Sequence, residues 1–419
     1  MRIHVRNGRV IDPATGRDAV ADVYVADGKI AEEFARPDRV IDAKGLVVAP
    51  GFVDLAARLR EPGFEYKATL ESELEAAAAG GVTSLACPPD TDPPLDEPGL
   101  VDMLRRRAGA LSRARVHPIG ALTLKLEGVA LTEMGQLTDA GCVAFSQGNH
   151  AMPDSQVLWR ALQYAATFGY KVWLRAEDAA LARGGVAHDG EMATRLGLPG
   201  IPPFAETIAL GTLIELARAT RARVHVCRLS SAGAVELVRR AKAEKLPLTC
   251  DVAIHHLHLS EMDLGYFDSH CRLEPPLRSQ RDRDALSRAL AEGVVDCLVS
   301  DHTPVDEDGK HLPFAEAEPG ATGLELLLPL ALKWGEAHQL PLAATLARIT
   351  SEPARVLGVD AGRIAVGAPA DLAIFDPRAA FQVSPQTLKS QGKNTPFLGY
   401  ELAGRVRFTL LAGSVVYEG

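Results

Sequence analysis

The sequence predicts an α/β fold: a (β/α)8 TIM-type barrel over residues 51–359, with a small β-sandwich domain assembled from residues 1–50 and 360–419. Three observations lead there. The middle of the chain alternates short apolar runs with helical patterns, and eight such runs suit a closed parallel barrel. The two ends hold only short strand-like runs and turn residues, so they are expected to meet in one small sheet domain. At 419 residues and 47% hydrophobic side chains, the chain can fill a core of that size.

In chain order, the first strand candidates are Ile3-His4-Val5, Arg9-Val10-Ile11, Asp22 to Val25, Lys29-Ile30 and Leu46 to Val48. Asn7-Gly8 and Asp27-Gly28 are dipeptides that favour hairpin turns. Barrel strands are expected near 51–56, 82–87, 116–122, 142–146, 171–175, 223–229, 247–253 and 295–300. Helical patterns fall between most of them, at Leu70 to Ala79, Asp154 to Phe168, Phe204 to Ala219, Ala232 to Glu244 and Arg281 to Glu292. Two further helices should follow the last strand, near 323–338 and 342–357. Segments 184–203 and 303–322 are rich in Gly and Pro and read as long loops over the barrel mouth. The chain ends on strand candidates at Gly362 to Ile364, Ala370 to Pro377, Arg405 to Leu410 and Ser414 to Tyr417.

A net charge of -9 argues against nucleic acid or an anionic membrane as the main partner. No apolar run is long enough to span a bilayer, and the first residues lack a signal-peptide core, so a cytoplasmic protein is expected. The six cysteines stand singly, mostly in apolar runs, where small buried thiols are expected rather than disulfides or a metal site.

The chemistry-bearing motifs begin at Asp54 to Gly63, which reads DLAARLREPG. Others are Val224 to Lys245 (VHVCRLSSAGAVELVRRAKAEK), His255-His256-Leu257, Pro275 to Arg278, Ser300-Asp301-His302-Thr303-Pro304, Gly323-Leu324-Glu325 and Asn394 to Phe397. Together these resemble dihydroorotase, a zinc amidohydrolase, over nearly the whole chain. The resemblance implies the amidohydrolase-superfamily barrel with its chemistry at the C-terminal strand ends.

It also exposes what this chain lacks. The family's first-strand motif carries two histidine ligands, and their positions hold Ala56 and Arg58. The metal-bridging aspartate after the fourth strand is replaced within Gln147-Gly148-Asn149, with Gln147 at its place. The histidine ligands of the fifth and sixth strands are Arg175 and Arg228, and only Asp301 keeps the family residue. A methyl group has no lone pair to donate, and a guanidinium stays protonated with no acceptor site. Of the substrate-binding positions, Arg60 is retained, whereas an asparagine has become Asp90, whose charge would repel a carboxylate substrate.

With no ligand set for zinc, the activated hydroxide on which this family's hydrolysis depends cannot form. The resemblance therefore implies no metal cofactor, a vestigial Asp301, and membership of the non-catalytic branch of the family. Members of that branch serve as structural subunits in hetro-oligomers with aspartate carbamoyltransferase in pyrimidine synthesis, so that transferase is the expected partner. Arg58, Arg175 and Arg228 should pair with Asp301, Glu177 and Asp90, and nearby arginines should drive the Asp301 pKa down. Two alternatives stand beside this reading: an amidohydrolase with an altered, metal-poor site using Asp301 with His302 or His255, and a regulatory subunit whose arginine pocket senses an anion. His255, His256 and His258 read as structural or surface histidines on a strand, and Arg105-Arg106-Arg107 as a solvated helix face.

Overall fold

The computed structural model describes residues 1–419. Eight parallel strands form the barrel: Phe52–Asp54, Val82–Cys87, Arg115–Ala121, Ala144–Ser146, Lys171–Leu174, Arg223–Val226, Leu248–Ala253 and Cys297–Val299. Each pairs with the next in sequence. Two hydrogen bonds join the ends of the first and eighth strands: His302 N–H to the Ala56 carbonyl (3.0 Å) and Arg58 N–H to the His302 carbonyl (2.9 Å). This seam brings the first-strand motif against Asp301.

The strands appear where the apolar runs place them because most of their residues are buried on both faces, the main exceptions being the starts of Arg115–Ala121, Lys171–Leu174 and Arg223–Val226. Leu70–Ala79 starts on a capping box, with Thr69 accepting from Ser72 N–H and Ser72 reaching back to Thr69 N–H. Asp154 caps Ser155–Phe168 and Ser231 caps Ala232–Ala243. Pro98–Leu111, which carries the expected exposed face Arg105 to Arg107, and Met134–Ala140, which the periodicity did not single out, complete the outer ring. The last expected helix is broken into Leu342–Ala347 and Ser351–Leu357. Pro353 is the cause, since it is tolerated in a first turn but cannot continue a helix through residue 349.

The termini meet in a separate eight-stranded sheet. Its path runs Ser414–Glu418, Glu401–Leu411, Leu372–Gln382, Val47–Pro50, Arg2–Asp12, Arg17–Ala26 and Lys29–Ala31, with Arg39–Asp42 also paired to Arg2–Asp12. This sheet has its own core, including Ile3, Val25, Val48, Ile374 and Leu410. Asp27-Gly28 makes the expected hairpin turn, with φ of 52° and 79°. Asn7-Gly8 instead forms a bulge inside a continuous strand, where the register shifts between Val5 and Gly8. Gly362 to Ile364 is not a strand; the Ile364 N–H is bound by Asp12.

Gly51 is the step from one sheet to the other. Its N–H donates to the Asp371 carbonyl, and a Cβ there would collide with the Thr83 side chain. Gly51→Ala is therefore expected to lower unfolding stability by about 1–3 kcal/mol, as measured by urea denaturation.

Of the two segments expected as loops, 184–203 carries the short strands Ala187–His188 and Gly200–Ile201 and the helix Glu191–Leu196. Segment 303–322 has one helical turn, Glu307–Lys310. No helix is long and apolar enough to cross a membrane. All six cysteines are free.

Candidate functional site: an arginine–carboxylate network in the barrel mouth

The expected site residues converge at the C-terminal ends of the strands. Arg58 lies just past the first strand, buried to 5% exposure. Its Nε donates to Asp90 at 2.9 Å, and its Nη1 lies 3.5 Å from Asp301 Oδ1 and 3.1 Å from Thr303 Oγ1. Arg228, also 5% exposed, brings Nη1 to 3.1 Å from the same Asp301 oxygen. Arg175 grips Glu177 with both terminal nitrogens, at 2.7 and 2.8 Å, and reaches Glu274 at 2.7 Å.

Asn149 ties these pairs together. Its side-chain oxygen accepts from Arg58 at 3.0 Å and from Arg228 at 2.6 Å, and its amide nitrogen donates to Glu274 at 3.2 Å. Its backbone carbonyl accepts from Arg175. Three guanidiniums thus face Asp90, Asp301, Glu177 and Glu274 in one connected network. Such charge-assisted contacts offset the cost of burying each ion.

Neither Asn149 nor Glu274 was singled out from the sequence as a partner. The available signals were weak: Asn149 sits two residues after the Gln147 position, and Glu274 directly precedes the Pro275-Pro276 motif. Two other expected residues stand apart from the network. Gln147 is occupied with Thr123 at 2.8 Å, and Ala56 packs among the apolar side chains of the barrel interior. Arg60 donates its Nε to the Pro304 carbonyl at 2.8 Å and makes no ion pair. Burial and the neighbouring Arg58 charge lower its pKa to about 10.

The electrostatics correct one expectation. Burial raises the Asp301 pKa, and the charges of Arg228 and Arg58 only partly oppose it. Asp90 goes the other way: burial works to raise it, but the charge and hydrogen bond of Arg58 prevail and hold it low. Arg60, Arg228 and Asp301 have φ values of 62°, 55° and 47°, in the left-handed region that costs a residue with a side chain roughly 1 kcal/mol or more. Three such residues past the C-terminal strand ends mark a mouth whose backbone is held in strained geometry.

His302 is buried below the seam, with Nε2 2.6 Å from Glu73 and Nδ1 facing the Gly323 N–H. His255 and His256 lie on a buried helix, Ile254–His258, rather than on a strand. Burial lowers their pKa values to about 3 and about 4, so both are neutral at pH 7.

A divalent ion does not suit this mouth. Of the family's ligand positions, Ala56, Arg58, Arg175 and Arg228 offer no lone pair, the Gln147 amide is taken up by Thr123, and Asp301 Oδ1 already serves two guanidiniums. The single cluster of His, Cys and carboxylate groups within metal-ligating reach is His225, Cys227 and Asp251, deeper in the barrel. There both ring nitrogens of His225 are occupied, by Thr249 and Asp251 at 2.8 Å each.

Comparison with known proteins agrees with this architecture. A family described as "Dihydro-orotase-like" matches residues 45–234, and "Amidohydrolase family" matches residues 153–417. A "Dihydroorotase-like protein" of Pseudomonas aeruginosa is 46% identical over the full length of both chains. A "Dihydroorotase" of Geobacter sp. (strain M21) is 40% identical, again over 100% of each. Among solved structures, an L-hydantoinase from Arthrobacter aurescens superposes with a TM-score of 0.88 at 26% identity, covering 99% of this chain and 96% of its own. The chain belongs to the dihydroorotase-like proteins of the amidohydrolase family.

Proposed function

We propose that this protein is a catalytically inactive dihydroorotase homologue that acts as a structural subunit of an aspartate carbamoyltransferase assembly. The observation that carries the first half is the network of Arg58, Arg175 and Arg228 with Asp90, Asp301, Glu177 and Glu274, which fills the mouth with compensated charge. A set of side chains in which three positions are guanidiniums would not hold the zinc that acidifies a water in this family. Both guanidiniums that meet Asp301 bond the same oxygen, Oδ1. The relatives named "Dihydroorotase-like protein" support the reading. The choice of transferase rests on sequence resemblance to the family's non-catalytic branch.

A second reading, a hydrolase with an altered site, is favoured by relatives of about 40% identity named "Dihydroorotase". One set of measurements separates the two. The purified native chain is expected to contain far less than one zinc per chain and to leave dihydroorotate unchanged. Co-expressed with the aspartate carbamoyltransferase of its own cell, it is expected to elute with it as one large species by light scattering. Stoichiometric zinc with ring opening rejects the inactive reading, and elution always alone rejects the assembly role.

A further inference from the structure

The segments that follow the seventh and eighth strands, 259–273 and 303–322, form one side of the barrel rim and carry most of the protein's negative charge. They hold eight acidic residues against two basic ones, a net charge of -6 out of the chain's -9. Neither base, Arg272 or Lys310, is exposed. Lys310 is buried, and its Nζ donates to the carbonyls of Ser269, Arg272 and Glu318 at 2.9, 3.3 and 2.6 Å. Ser269 Oγ returns a hydrogen bond to the Lys310 carbonyl at 2.5 Å. The two segments are thus stitched into one surface. Asp263, Asp268, Glu307, Asp308 and Glu316 are exposed on it. Of the eight acids only Glu318 is paired with a lysine or arginine, Lys67, while Asp268 and Glu307 have histidines beside them.

The same surface exposes large apolar side chains. Met262, Tyr266, Phe267 and Leu312 all face solvent, Tyr266 to 90%. The Tyr266 and Phe267 rings meet edge to face at 5.2 Å. Their turn is built on left-handed backbone: Gly265 has a φ of 52° and Phe267 a φ of 66°, a value strained for a residue with a side chain. Single exposed apolar residues are ordinary. Four on two stitched segments, among them the aromatic and methionine types enriched in protein–protein interfaces, mark a docking surface. Charge then selects the occupant. A second copy pairing through the same rim would set acids against acids, and an anionic partner would be repelled in the same way.

We infer that this rim docks a partner protein through a basic face with an apolar centre, Tyr266 being the main anchor. An exposed tyrosine gives a large contact area at low entropic cost, and the surrounding acids steer a cationic face toward it. In the assembly proposed above, on which this rests, that partner is the transferase. What is added is the face of the barrel that it meets and the sign of the charge that it brings.

Titration of the full-length protein against the aspartate carbamoyltransferase of its own cell, followed by calorimetry and light scattering, tests it. Tyr266→Ser is expected to weaken binding by about tenfold or more. Glu307→Lys combined with Asp308→Lys should slow association and flatten its dependence on salt. Val20→Ser, at an exposed apolar site on the terminal sheet, should change neither. All four positions are exposed, so the variants should fold as the parent does, which circular dichroism checks. Undiminished binding by both rim variants overturns the docking face and leaves the assembly reading standing. A parent chain that never binds the transferase overturns the assembly reading and the docking face with it. Equal weakening by Val20→Ser, or a dimer of the parent alone that Tyr266→Ser abolishes, also overturns the docking face.

Discussion

Arg228→Met is expected to lower the free energy of unfolding by about 3–5 kcal/mol, because it strands a carboxylate inside the protein. Arg228 is the nearer of the two cations on Asp301, at 3.1 Å against 3.5 Å for Arg58. The substitution also removes a donor to Asn149 and another to the Glu274 carbonyl. Methionine fills similar space, so the loss should be mostly electrostatic. Adding Asp301→Asn removes the stranded charge and should recover a large part of the loss. Urea denaturation of the parent, both single variants and the double variant gives the coupling directly. A cost below about 1 kcal/mol for Arg228→Met, with no recovery in the double variant, would show that the mouth is wet enough to make the pair dispensable.

His255→Met should stabilise the protein, and more so in acid. The His255 ring is 1% exposed, stacks on Phe397 at 5.8 Å, and neither ring nitrogen has a partner. Burial, then the charges of His256 and His258, lower its pKa to about 3, against 6.5 in the unfolded chain. The sign follows from linkage. Between pH 6.5 and pH 3 the unfolded chain holds the proton and the folded chain does not, so this group's contribution to stability falls as pH falls through that window. From pH 6.5 to pH 5 the loss is about 2 kcal/mol at 1.4 kcal/mol per pH unit. The variant should therefore gain about 2 kcal/mol more over the parent at pH 5 than at pH 7. Comparing the two pH values cancels most of the change in packing. Equal differences at both would mean that the ring reaches solvent.

The barrel was legible in the sequence because its strands are largely buried on both faces and read as unbroken apolar runs. Helices with strong caps, such as those begun by Thr69 and Asp154, were equally plain. What the sequence concealed depended on contacts across long separations. Glu274 meets Arg175 across 99 residues, and Asn149 meets Arg228 across 79. No local periodicity encodes such a pairing. Pro353 did carry a local signal, but the apolar pattern running through it suggested one helix where there are two. The sign of the Asp301 shift was hidden for a different reason. The neighbouring arginines were visible as residues, whereas the depth of burial that outweighs them emerges only in three dimensions.

The linked mouth also bears on tolerance to change. Changing any one of Arg58, Arg175 or Arg228 to histidine would remove a full positive charge from a group of acids that all three hold together. Each such single change is expected to unbalance its neighbours, so these positions should tolerate substitution only in concert. The network works as an interlock, in which no member can be exchanged without disturbing the rest.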